Sequence, residues 1–72
     1  MKNYEITIFN KHVREHAQDD KKHPQYDMGW ADQRFLQVEA RSSDEARKSI
    51  LRRHPEHKGF VIVDVTEVTL FE

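Results

Sequence analysis

The chain has 72 residues, 36% of them apolar and 35% charged, with no cysteine and a formal net charge of -1. A chain this short holds one domain that buries roughly 60% of the surface its unfolded form exposes, which leaves too little protein to wall a deep cleft. The missing cysteines exclude a disulfide framework and thiolate zinc ligation, and the balanced charge argues against both a strongly basic nucleic-acid binder and an acidic DNA mimic.

Met1 to Phe9 reads as a strand, because Tyr4, Ile6 and Ile8 fall on one face and Glu5 and Thr7 on the other, with Phe9 adding an aromatic ring to the outer side. The alternating charged and apolar positions from Met1 to Asn10 resemble neither the apolar run of a signal peptide nor a span of about 20 apolar residues. The expectation is a soluble protein of the cytoplasm. From Asn10 to Gln33 the pattern dissolves into charges and histidines, broken at His23, Pro24 and Gly29. Lys11 to Gln18 has room for a helical turn or two; otherwise the segment reads as a long loop carrying Tyr26, Met28 and Trp30.

Alternation resumes at Phe35 to Arg41, with Leu36, Val38 and Ala40 inward and Gln37, Glu39 and Arg41 outward, which predicts a second strand. Ser42 then opens a Ser-x-x-Glu capping box with Glu45, so a helix starts there, and Asp44 and Glu45 complement the positive end of its dipole. Ala46, Ile50 and Leu51 supply its buried stripe; Arg52, Arg53 and His54 occupy its last turn, and Pro55 stops it. Phe60 to Phe71 is a valine-rich run with Val61, Val63 and Val65 on one face and Phe60 and Ile62 on the other. The parity slips afterwards, at Val68, Leu70 and Phe71. Either a bulge near residues 64 to 67 corrects it, or the strand is regular and Phe60, Ile62, Val68 and Leu70 form a second apolar face, covered by the long loop or by another copy of the protein.

These elements predict an α+β domain in β-β-α-β order. The sheet is small and three-stranded, mixed or antiparallel, with one α-helix packed on one face. A crossover helix makes the second and third strands parallel neighbours or near neighbours, of right-handed chirality, and the first strand pairs antiparallel with one of them. A homodimer through the C-terminal strand is compatible with this arrangement.

Charge is segregated by element. Arg41, Arg47, Lys48, Arg52, Arg53 and Lys58 face only Asp44, Glu45 and Glu56 between positions 41 and 58. The bland account is a solubilising helix surface. The functional account is an anchor for carboxylate or phosphate, since arginine favours bidentate contact with both and Lys48 and Arg52, four apart, share a face. Trp30 either folds back over a thin core or, if exposed, serves as an interface anchor together with Tyr26.

Five histidines raise the question of a metal, and His12-Val13-Arg14-Glu15-His16 matches the H-x-x-E-H pattern of inverted zinc peptidases. Such a site also needs a third ligand, an open coordination position and a cleft. A looser set would draw on His12, His16, His54 and His57; histidines without a ligand are the expectation, and no cofactor is expected. The carboxylates are scattered, no serine or threonine sits beside a histidine as an activated nucleophile, and two glycines make no phosphate cradle. An enzyme is not expected.

The run Val38-Glu39-Ala40-Arg41-Ser42-Ser43-Asp44-Glu45-Ala46-Arg47, followed by a positive helix end and then Phe60-Val61-Ile62-Val63-Asp64-Val65-Thr66-Glu67-Val68, resembles a pattern common in small phage and mobile-element proteins. Some phage anti-CRISPR proteins are similar to it in outline. The resemblance implies a phage-type accessory protein of the host cytoplasm that binds, and inhibits, a host or defence complex. The residues expected to carry binding are Tyr26, Trp30, Arg47, Lys48, Arg52 and Arg53, with RNA or DNA binding through the basic helix as the alternative.

Overall fold

The alternation of Tyr4, Ile6 and Ile8 builds a strand, and that strand becomes the centre of the sheet. The computed structural model describes residues 1–68. Its elements are β1 (Lys2–Asn10), α1 (Lys11–Gln18), a 3-10 turn at Met28–Ala31, β2 (Arg34–Ala40), α2 (Ser43–Arg53), a 3-10 turn at Glu56–Lys58, and β3 (Phe60–Val68). The sheet order is β2-β1-β3, and both pairings of β1 are antiparallel. An α+β domain on a three-stranded sheet is therefore correct, whereas the expected β-β-α-β order with one helix is not. Helix α1 intervenes between the first two strands. The strands joined by α2 run parallel to each other but are separated by β1, which fills the place between them.

Register fixes the faces. Tyr4, Ile6 and Ile8 oppose Val38, Leu36 and Arg34 on one side, and Ile6, Ile8 and Asn10 oppose Val65, Ile62 and Phe60 on the other. Tyr4, Ile6, Ile8, Ala40 and Phe60 are buried there under Ala46 and Ile50 of α2, with Leu36, Val38, Ile62 and Val65 packed around them. Fully burying an isoleucine such as Ile6 or Ile8 contributes about 1.5–3 kcal/mol relative to exposure, so this row is the main source of cohesion in a small domain.

The third strand corrects the sequence reading. Thr7 pairs with Asp64 while Ile8 pairs with Ile62, so Val63 is an unmatched bulge residue. The slip falls one residue before the stretch expected to contain it. It turns Phe60 and Ile62 to the buried face together with Val65, and leaves Val61 with Phe9 on the outer one. The described part of β3 ends at Val68; Leu70 and Phe71 lie outside the described residues.

Helix α2 starts as its capping box predicts, with one shift. The Ser42 hydroxyl accepts from the Glu45 amide at 3.2 Å, but the Glu45 carboxylate accepts from the Arg41 amide at 3.1 Å, one residue before the cap. Helix α1 begins with no connecting residue after β1. Asn10, the last residue of the strand, is also its N-cap: Oδ1 accepts from His12 N at 2.9 Å and Val13 N at 3.1 Å. Its Nδ2 donates to the Lys58 carbonyl at 3.1 Å, and the neighbouring Lys11 amide donates to Gly59 O at 2.8 Å. Asn10 is wholly buried. Gly59 closes the second turn with φ of 101°, and a Cβ there would approach Asn10 Oδ1 and the His12 ring to 2.7 Å, so only glycine fits.

Helix α1 ends in a Schellman motif, in which Lys21 N donates to His16 O at 2.7 Å and Asp20 N to Ala17 O at 3.1 Å. The left-handed position is held by Asp20, with φ of 58°, where glycine is usual. No helix among the described residues is long and apolar enough to cross a membrane.

Two substitutions test this account. Asn10→Ala removes a cap, worth about 0.5–2 kcal/mol, and strips the Lys58 carbonyl of its buried partner, worth about 1–3 kcal/mol; denaturant unfolding should show a loss of about 2–4 kcal/mol. Asp20→Gly relieves the left-handed strain and removes a carboxylate from a helix C-terminus, so it should raise stability by about 0.5–1 kcal/mol, read as a higher melting temperature.

Candidate functional site

The 3.6-residue repeat that buries Ala46 and Ile50 leaves the cations of α2 in solvent. Arg47, Lys48, Arg52 and Arg53 are all exposed. Lys48 and Arg52 share the side turned away from the sheet. Arg47 lies on the β3 flank, at the rim of a groove of about 220 Å³ with Leu51, Phe60 and Ile62 among its lining and Lys11 and Glu56 also beside it. Among the described residues the ion pairs are Lys2 with Glu67 and Arg34 with Asp27, each at 3.7 Å, so none of the four α2 cations has a carboxylate within 4.0 Å.

The two aromatic candidates are placed differently. Tyr26 and Trp30 are half-buried and pack against the core, both edge-on to Phe60, at ring centroid distances of 5.1 and 5.2 Å. Of the two readings of Trp30, the geometry matches the ring that folds over a thin core. The Arg34 guanidinium lies over its face at 4.5 Å and the His54 ring against it at 5.2 Å. Because His54 follows directly on α2, Trp30 sits at the end of the basic helix. Tyr26 sits on the other flank of Phe60, beside His23 at 5.2 Å. The six expected site residues therefore do not form one patch: Trp30 borders the cations, and Tyr26 does not.

The histidines regroup as well. His12 and His16 are one turn apart on α1, and His16 Nδ1 donates to the His12 carbonyl at 2.7 Å. The His16 ring meets His23 at 5.0 Å rather than His54 or His57. Among the described residues no group of three or more histidine or carboxylate side chains is arranged to hold a metal ion. Partial desolvation, followed by repulsion from His16 and His12, lowers the His23 pKa below the usual imidazole value. Desolvation and the neighbouring Arg53 do the same for His54.

Several residues that organise this region carry no signal readable in the sequence. Phe60 is one, since parity alone set it with Ile62 on the face opposite Val61, Val63 and Val65 and left open which face is buried. Arg14 is another: its Nε donates to the Ala31 carbonyl at 2.9 Å while its guanidinium lies 3.7 Å from the centre of the Phe9 ring, so it clamps the 3-10 turn Met28–Ala31 to the sheet. Arg34 does the same from β2, reaching Gly29 O and Asp27.

The chain matches no known protein family, no curated protein and no solved structure.

Because Trp30 is half-buried against Phe60 rather than free, Trp30→Ala should lower stability by about 2 kcal/mol, below the 3–5 kcal/mol of a fully buried ring. Chemical denaturation followed by far-ultraviolet circular dichroism measures it.

Proposed function

We propose that this protein is a small docking module of the phage-accessory kind, which seats the basic ridge of α2 on an acidic surface of a larger host or defence complex and so blocks that complex. The observation that carries the reading is the set of four exposed cations, Arg47, Lys48, Arg52 and Arg53, without a carboxylate partner among the described residues. The helix backbone that carries them is already ordered, and arginine meets carboxylates bidentately, losing less side-chain entropy per hydrogen bond formed. Trp30, held by His54 at the end of the helix, marks the border of the ridge. Protein is favoured over nucleic acid because the chain as a whole carries -1, and because the rings that would stack on bases are packed edge-on against Phe60.

The test is a charge reversal at the two positions that share the outward side. Lys48→Glu with Arg52→Glu should keep the fold, since exposed substitutions change stability by about 0.5 kcal/mol or less each, and should weaken capture of the partner complex at least tenfold in a binding assay with purified components. Undiminished capture overturns the proposal. Random-sequence oligonucleotides should not bind at low salt; binding that falls steeply as salt is raised would transfer the ridge to nucleic acid instead.

A further inference from the structure

His23 sits where its protonation state decides a contact. Its Nδ1 accepts from the Gln25 amide at 3.0 Å and from the Tyr26 amide at 3.3 Å. An imidazole nitrogen accepts only when it carries no proton, so the neutral ring bears its hydrogen on Nε2. Those two bonds turn the chain so that the Tyr26 ring lands edge-on against Phe60, at 5.1 Å and an interplanar angle of 75°. Phe60 is 2% exposed and belongs to the central cluster, so the loop from Lys21 to Tyr26 serves as part of its cover.

We propose that His23 is a proton-operated latch, which holds the Tyr26 segment on Phe60 while neutral and releases it when charged. Protonation puts an N–H on Nδ1, aimed at two backbone N–H donors, and both bonds are lost. Rotating the ring does not help, because both nitrogens of the imidazolium are donors.

The groups facing His23 reinforce this direction. From α1 they are His16, at 5.0 Å between ring centres, and His12 one turn behind it. From its own segment comes Tyr26, at 5.2 Å between ring centres. The exposed Lys21 and Lys22 precede it, and no carboxylate lies within 4.0 Å of it among the described residues. His16 donates from Nδ1 to the His12 carbonyl, which holds its ring beside His23. The docked segment thus binds fewer protons than the released one. Docking is complete above pH 6.5 or so, the ordinary imidazole value, and is lost as the pH falls through the lowered value.

Release stops short of the second half of the loop. Met28–Ala31 is held by Arg14 and Arg34, whose contacts with it do not involve His23, and Trp30 stays against Phe60. On the far flank of the same ring, His54 lies 4.9 Å from Phe60. The latch stands independently of the docking role of α2.

The experiment is a titration of the 15N-labelled intact protein by nuclear magnetic resonance from pH 8 to pH 5. The Gln25 and Tyr26 amides should lose exchange protection at least tenfold beyond the intrinsic pH dependence, and the Tyr26 ring protons should lose their Phe60 ring-current shift, in one step with His23 titration. Amides of β1 should not change. In His23→Asn, the side-chain oxygen accepts from the same amides without titrating, so Tyr26 should stay docked down to pH 5. Tyr26 remaining on Phe60 in the wild type with His23 protonated overturns the latch, as does an unchanged pH profile in His23→Asn. Release at every pH in that variant would mean that the ring itself is needed to hold the segment, and the wild-type titration then decides the role of the proton.

Discussion

One buried amide ties the parts of this protein together. Asn10 ends the central strand, caps the helix that follows it, and bonds the turn that leads into the last strand. Three elements meet at this side chain, and all of its bonds go to backbone groups that burial would otherwise strand without water. Its geometry explains why β1 passes into α1 without a loop, and why Gly59, with no side chain, is the residue that faces it. A longer or branched neighbour would displace the Asn10 carbonyl oxygen from the amides it caps. The tight corner also fixes where Phe60 starts β3, and Phe60 in turn is the ring on which Tyr26, Trp30 and His54 converge.

Much of this was legible in the order of residues, though not the corner itself. The inward sets Tyr4, Ile6, Ile8 and Leu36, Val38, Ala40 follow a period of two because each strand has only one face to bury, and the Ser42 to Glu45 signal works because it is chemically local. Helix α1 was readable only as a short possibility. Its cap doubles as a strand residue, and its C-terminal left-handed position holds Asp20 where the usual sign is glycine. The bulge at Val63 hid the orientation of Phe60, since a single unmatched residue reverses the parity of everything on one side of it. Strand order could not be read locally at all, because nothing in β1 announces two partners. For the site, the exposure of Arg47, Lys48, Arg52 and Arg53 follows directly from the period of α2. The burial of Tyr26 and Trp30 depends on Arg14, Arg34 and His23, contacts between segments that only the folded chain brings together.

The slab has two unlike sides. One carries α2 and the aromatic loop, and the shortest Cα dimension, 15 Å, leaves room for little more than a sheet and one further layer. The other is open sheet among the described residues, with Phe35 at 62% and Val63 at 49% exposure and Glu5, Glu39, Asp64 and Thr66 along it. Arg14 screens part of the Phe9 ring there. The exposed cations Arg47, Lys48, Arg52 and Arg53 lie on the helix side, and Glu5, Glu39 and Asp64 on the open face of the sheet.

The central position of β1 sets the order in which the molecule can assemble. Its partners are translated after it, and the pairing of Asn3 with Val68 spans nearly the whole described chain. A nascent chain emerging from the ribosome can fold β1 onto β2, but one rim of that hairpin stays open until Phe60–Val68 arrives. Contacts so distant along the chain slow folding, and an open strand rim is adhesive while it waits. The feature that gives the finished sheet its best-buried strand therefore makes the half-synthesised protein its most vulnerable form.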